Sequence, residues 1–112
     1  MIEAEGAGVQ QEWSPEELWA NWTLVESDWD LVADKSRRTR LGFSLLLKFF
    51  KLAGRFPDVL EEVPRAAVEY VADLVQVPAT DFAKYTLVGR TAEYHRKQIR
   101  EALGFSAVNG RG

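Results

Sequence analysis

The segment from Thr39 to Ala53 constrains this chain more than any other, because it is apolar around most of its circumference. On a helical wheel of 100° per residue, Arg37, Arg40, Ser44, Lys48, Lys51 and Arg55 fall within a sector of about 80°, and every other residue from Leu41 to Leu52 is apolar or glycine. Such a helix is stable in water only when other elements cover it on every side but one. The pattern predicts a central helix, ended by Gly54 and then Pro57, with a bundle packed round it and one narrow polar strip toward solvent.

The flanking sequence supplies the elements of that bundle. Ser14-Pro15-Glu16-Glu17 combines an N-cap serine, proline at the first helical position and a glutamate three residues after the cap, predicting a helix to about Asn21 with Trp13 packing back on it. Ser27 with Asp30 repeats the capping pattern and predicts a second short helix to about Lys35 that buries Trp29 with Leu31 or Val32. Asp58 to Val63 reads as a loop or single turn. Pro64 opens a helix through about Val75 whose Ala67, Val68, Val71, Ala72 and Val75 share one face. Pro78 and Thr80 introduce a short helical segment from Ala79 to Tyr85, the turn Thr86 to Gly89 follows, and a longer helix runs to Phe105.

No period-two alternation lasts long enough for a strand, and no internal repeat is present. The expected fold is therefore all-α, a compact bundle of about six helices whose last two form a helix-turn-helix-like pair. The folded domain is expected over 13–105, between a flexible acidic tail over 1–12 and a flexible tail or linker over 106–112.

A net charge of −3 conceals a segregation of sign. Residues 1–34 hold nine acids and no lysine or arginine, whereas 35–112 hold fourteen bases against eight acids, or +6. That asymmetry points to a polyanionic partner for the second part, and an acidic leader on an ordinary solvated surface produces it as well. The strip from Arg37 to Arg55 has five cations among its six members. A phosphate backbone lying along it would release counterions, though a nearly buried helix also has to put its few polar residues on the solvent side.

On the same wheel the last helix separates into two faces. Ala92, His95, Ile99, Ala102 and Leu103 are expected against the core, and Arg90, Tyr94, Lys97, Gln98 and Glu101 opposite, with Thr91 and Arg100 at the edges. The outer face carries side chains suited to base edges and phosphates: arginine to guanine, glutamine to adenine, tyrosine or threonine to phosphate or a thymine methyl.

Several function classes are excluded by what is missing. Zero cysteines remove disulfides, thiolate catalysis and cysteine-ligated metal sites. His95 is the single histidine and has neither a partner ligand at metal-binding spacing nor a nucleophile to serve, so it reads as a core or phosphate-touching residue. The carboxylates sit mostly at expected helix starts, where capping and the helix dipole account for them. No catalytic residue, metal or cofactor is expected. No run of about 18 apolar residues exists for a membrane span, and the opening Met-Ile-Glu-Ala-Glu-Gly is acidic where a secretory signal is positive, so a cytoplasmic protein is expected.

The run Leu41-Gly42-Phe43-Ser44-Leu45-Leu46-Leu47-Lys48-Phe49-Phe50-Lys51-Leu52-Ala53-Gly54-Arg55-Phe56-Pro57, then Val63-Pro64, Tyr70-Val71-Ala72, Gly89-Arg90-Thr91, His95-Arg96, Ile99-Arg100 and Leu103-Gly104-Phe105, resembles the start of the N-terminal domain of Tn-three-family transposases, the large bacterial enzymes that move replicative transposons. The resemblance covers roughly Trp13 to Phe105. It implies a helical DNA-binding region that recognises the terminal inverted repeats, with Arg90, Thr91, His95, Arg96 and Arg100 in the DNA-binding segment. It also implies that the magnesium-dependent strand-cutting domain lies far downstream, so this chain by itself would not cleave DNA. The sequence departs from the family pattern at Tyr94, where members often carry a basic residue, and in its overall acidity.

Taken together, the residues predict that Arg90, Thr91, Tyr94, Lys97 and Gln98 enter a major groove, while Arg37, Arg40, Lys48, Lys51 and Arg55, with Arg96 or Arg100, hold phosphates. The expected partners are double-stranded DNA at transposon ends and other transposase domains or a second copy, with no membrane and no small-molecule substrate. The alternative is a protein-interaction module or stand-alone transposition regulator that uses Trp13, Trp19 and Trp22 as exposed aromatics.

Overall fold

The computed structural model describes residues 10–104, so the expectations for residues 1–9, for Phe105 and for the C-terminal tail lie outside the described residues. Five α-helices follow one another: α1 Pro15–Trp22, α2 Glu26–Val32, α3 Arg37–Ala53, α4 Arg65–Val75 and α5 Arg90–Ala102. Two 3-10 helices, Leu60–Glu62 and Ala79–Lys84, flank α4. Among the described residues there is no strand, and the chain is all-α.

Helix α3 is the axis on which α1, α2, α4, α5 and the Ala79–Lys84 segment pack. Every residue from Leu41 to Phe50 is buried. The helix stops at Gly54, whose φ of 76° is the left-handed cap that glycine adopts at least cost. Around it Trp22, Leu24, Val32, Val63, Ala67, Val71, Val75, Phe82, Tyr85 and Ile99 complete one continuous core.

The first helix forms as its residues dictate. Ser14 accepts from the Glu17 amide at 3.2 Å, Glu17 accepts from the Ser14 amide at 2.8 Å, and Pro15 occupies the first helical position. Trp13 packs back edge-on against Trp22, with ring centroids 5.9 Å apart.

Helix α2 differs from expectation. Its N-cap is Val25, and Asp28 closes the first turn by accepting from the Val25 amide at 3.0 Å, so Ser27 lies inside the helix. The buried residues are Asp28 and Val32, while Trp29 faces outward. The reason is electrostatic: Asp28 is drawn beneath α2 by two lysines of α3, which turns Trp29, one residue on, away from that face.

The polar strip of α3 is likewise not a solvent-facing row. Ser44 is fully buried and returns its hydroxyl to the Arg40 carbonyl at 2.8 Å, and Lys48 is only 6% exposed. Lys48 and Lys51 both donate to Asp28, Arg40 reaches the Val75 carbonyl, and Arg55 pairs with Glu62 at 2.5 Å. Charges that would be expensive to bury singly are matched by acids and carbonyls of the neighbouring elements. The strip is thus largely a seam joining α3 to α2, α4 and the Leu60–Glu62 turn; Arg37, at its N-terminal end, and Lys51, on its way to Asp28, are its exposed members.

Candidate nucleic-acid interface

The C-terminal pair is built on Gly42. A side chain at that position would overlap the ring of Tyr85 at Cδ1, Cγ and Cε1, so Gly42 is what lets Tyr85 lie flat on α3. Tyr85 in turn bonds His95 of α5, with its hydroxyl 2.6 Å from Nδ1. His95 stacks parallel to Tyr85 and meets Phe43 edge-on at 5.1 Å. This buried Tyr85–His95–Phe43 contact sets α5 against α3.

Burial and the nearby Lys35 ammonium push the His95 pKa down to about 4, partly offset by Asp34, so the imidazole is neutral at physiological pH. Burial also raises the Tyr85 phenol, with a smaller opposing pull from Arg96. The contact thus joins a neutral phenol to a neutral imidazole, with one proton shared between the hydroxyl and Nδ1 according to the ring's tautomer. His95 is a core residue with satisfied chemistry.

The turn before α5 is held by Arg96, whose guanidinium donates to the Leu87 carbonyl at 2.7 Å. Gly89 then caps α5 with φ 99°, without a side-chain hydrogen bond. Helix α3 also starts without a side-chain cap at Ser36, and its first turn holds no acid. Both helices thus begin with N–H groups that no side chain caps, α3 with no acid in its first turn and α5 with Glu93 in its own.

These two N-termini border a single cleft. Arg38 and Thr39 of α3, Lys84 and Tyr85 of the short segment, Thr86 and Val88 of the turn, and Arg90 and Thr91 of α5 enclose about 270 Å³. A second hollow of about 520 Å³ is lined by Arg37, Arg38, Asp81 and Lys84. Arg38 and Lys84 line both. Arg37, Arg38, Lys84 and Arg90 are all exposed, and the one acid lining these hollows is Asp81, 4.0 Å from Lys84.

The residues expected to contact DNA are thus divided by the fold. Arg90, Thr91, Tyr94 and Lys97 lie exposed on α5, Tyr94 at 58%. Gln98 is half-buried and accepts from the Lys35 ammonium at 2.7 Å. Arg96 serves the turn, and Arg100 sits over the Phe56 ring with its guanidinium carbon 6.0 Å from the centroid. Of the central-helix set, Arg37 reaches the cleft region, whereas Arg40, Lys48, Lys51 and Arg55 are engaged in the seam. Ala102, expected toward the core, is exposed at the end of α5, and Leu103 is half-buried.

Sequence reasoning missed Arg38, Thr39, Lys84 and Thr86 as cleft residues. No local pattern marks them: the first turn of α3 and the last residues before α5 are far apart in the chain and meet through the packing of the Ala79–Tyr85 segment on α3. It also missed Lys35, 9% exposed between the Phe43 and Tyr94 rings at 4.7 and 5.7 Å.

Residues 4–112 match DUF4158, described as a domain of unknown function. The chain belongs to that family. No curated protein and no solved structure matches it. Among the described residues of this DUF4158 domain, no group of three or more histidines or carboxylates is placed to hold a metal ion, and no helix is long and apolar enough to cross a membrane.

Proposed function

We propose that this DUF4158 domain binds double-stranded DNA, and that its target is the terminal inverted repeat of a replicative transposon, as the N-terminal module of a Tn-three-family transposase. The observation that supports this best is the cleft where α3 and α5 begin. Four exposed cations (Arg37, Arg38, Lys84, Arg90), the hydroxyls of Thr39, Thr86 and Thr91 and two uncapped helix N-termini gather in one region of a chain whose overall charge is negative. These are the donors that phosphate oxygens take.

In this reading the cleft grips the backbone while the exposed side of α5, with Arg90, Thr91, Tyr94, Lys97 and the outward end of Gln98, enters the major groove. A short helix, a tight turn and a longer helix present side chains in that manner in many DNA-binding domains. The domain carries no strand-cutting chemistry of its own, takes no cofactor and works in the cytoplasm.

A mobility-shift titration tests this directly. A duplex from the end of the parent transposon is expected to bind more tightly than random duplex, with an affinity that falls steeply with salt. Equal affinity for both duplexes removes the sequence-specific claim, and no shift at low salt removes DNA binding altogether. Trp19, 70% exposed on α1, favours a second reading as a protein-contact module; Trp22 is fully buried and cannot take part. A concentration-dependent dimer without DNA, together with no shift of any duplex, selects that reading.

A further inference from the structure

Lys35 lies in the turn between α2 and α3, outside the helix-turn-helix-like pair, yet it touches the outer side of α5 at two points one turn apart. Its ammonium donates to Gln98 Oε1 at 2.7 Å and to Asp34 Oδ1 at 3.1 Å, and lies 4.7 Å from the Phe43 ring centroid and 5.7 Å from that of Tyr94. Three N–H bonds are thus spent on two oxygens and an aromatic face, which accounts for the whole donor capacity of a lysine. The group is nearly buried beneath Tyr94 and Gln98, whose other sides are open to solvent.

The chemistry of lysine removes the usual ambiguity of a carboxamide. An ammonium only donates, so the atom facing it is the Gln98 oxygen, and the amide nitrogen is the end turned away from Lys35. A free glutamine recognises adenine through two bonds, accepting from N6 and donating to N7. A glutamine whose oxygen is drawn inward by a buried cation presents its N–H donors, which match the two acceptors of guanine, O6 and N7, or thymine O4, whereas adenine sets the N6 donor beside its N7 acceptor and leaves that donor without a partner.

We infer that Lys35 is a positioning residue for base recognition: it fixes Gln98 as an outward donor, beside a Tyr94 ring resting on the same cation, and so turns the specificity of α5 away from adenine. This rests on the proposed entry of α5 into a DNA groove.

The test is selection from a randomised duplex pool with the wild-type domain, Gln98→Ala, Lys35→Met and Lys35→Arg. The base position whose preference disappears in Gln98→Ala is expected to be guanine or thymine for wild type and for Lys35→Arg. Lys35→Met, which keeps the length and packing of the side chain, frees the carboxamide and is expected to move that preference to adenine by roughly five- to a hundredfold. A merely structural lysine would lower affinity for all sequences without changing the preferred base. Adenine already preferred by the wild type, or an unchanged preference in folded Lys35→Met, overturns the inference. The Gln98 side-chain amide resonances, read without DNA, separate the two levels. If they shift in Lys35→Met while no pool sequence is enriched by the wild type, the groove reading has failed and takes the inference with it. If they do not move, the Lys35–Gln98 contact itself is refuted.

Discussion

The Tyr85 hydroxyl meets Nδ1 of His95 at 2.6 Å inside the domain, where burial favours the neutral imidazole at the junction of α5 with α3. Burial, with Lys35 nearby, takes His95 from its ordinary 6.5 down to about 4. The unfolded chain therefore binds this proton more readily than the folded one, and stability falls as pH drops from about 6.5 toward 4, levelling off below. Asp28 and Glu62 are both held below their ordinary values and act at lower pH still. For Asp28, burial opposes this but is outweighed by hydrogen bonds from Lys51, Lys48 and the Val25 amide. For Glu62, the bond from Arg55 leads. Between pH 6.5 and about 5 His95 dominates, at about 2 kcal/mol, taking 1.36 kcal/mol per unit. Urea unfolding over that range is expected to show this loss in the wild type and a nearly flat profile in His95→Gln.

Gly42→Ala tests the seat of Tyr85. The added methyl group collides with the ring, which costs about 1–3 kcal/mol or more when a packed core cannot move, against a gain of about 1 kcal/mol from replacing a mid-helix glycine. In a Tyr85→Ala background the collision is gone and only the gain remains. Gly42→Ala is therefore expected to destabilise the wild type and to stabilise the Tyr85→Ala variant, giving a coupling equal to the collision cost, about 1–3 kcal/mol or more, in a double-mutant cycle.

Helix boundaries and the core were largely legible from the sequence because they follow local rules. The Ser14 capping box, the Gly54 stop and the Ala67, Val71, Val75 face each need only a few neighbouring residues to be specified. The electrostatic map was not legible, because which cation meets which acid depends on elements far apart in the chain. Lys48 and Asp28 are twenty residues apart, and Lys35 and Gln98 sixty-three. The wheel correctly gathered Lys48 and Lys51 on one side of α3 but had no means of knowing that α2 covers it. The same limit hid Arg38 and Lys84, which line one cleft with Arg90 once the Ala79–Tyr85 segment packs on α3.

Asp28→Asn is expected to be among the most damaging single changes. Its carboxylate accepts from Lys48 at 2.9 Å and from Lys51 at 2.6 Å, and Lys48 is buried with it. Removing the anion leaves a buried ammonium without a counter-charge, a loss of about 3–5 kcal/mol. Replacing both buried partners by apolar groups avoids that penalty, while Lys51 can swing to solvent. Denaturant titration is expected to find Asp28→Leu with Lys48→Met more stable than Asp28→Asn alone.

The division between seam and cleft makes a prediction that joins stability to binding. Arg38, Lys84 and Arg90 are exposed around the cleft, so alanine at each is expected to change stability by no more than about 0.5 kcal/mol, the usual range for surface sites. Each substitution that removes a phosphate contact lowers the slope of log affinity against log salt by about 1. Lys48→Ala and Lys51→Ala act in the opposite sense, lowering the unfolding free energy through Asp28 while leaving the salt slope of the folded fraction unchanged. Measuring slope and stability on the same five proteins separates the two sets. A full wild-type slope in the Arg38, Lys84 and Arg90 variants would place the phosphates elsewhere, and a reduced slope in a well-folded Lys48→Ala would return the central strip to the DNA interface.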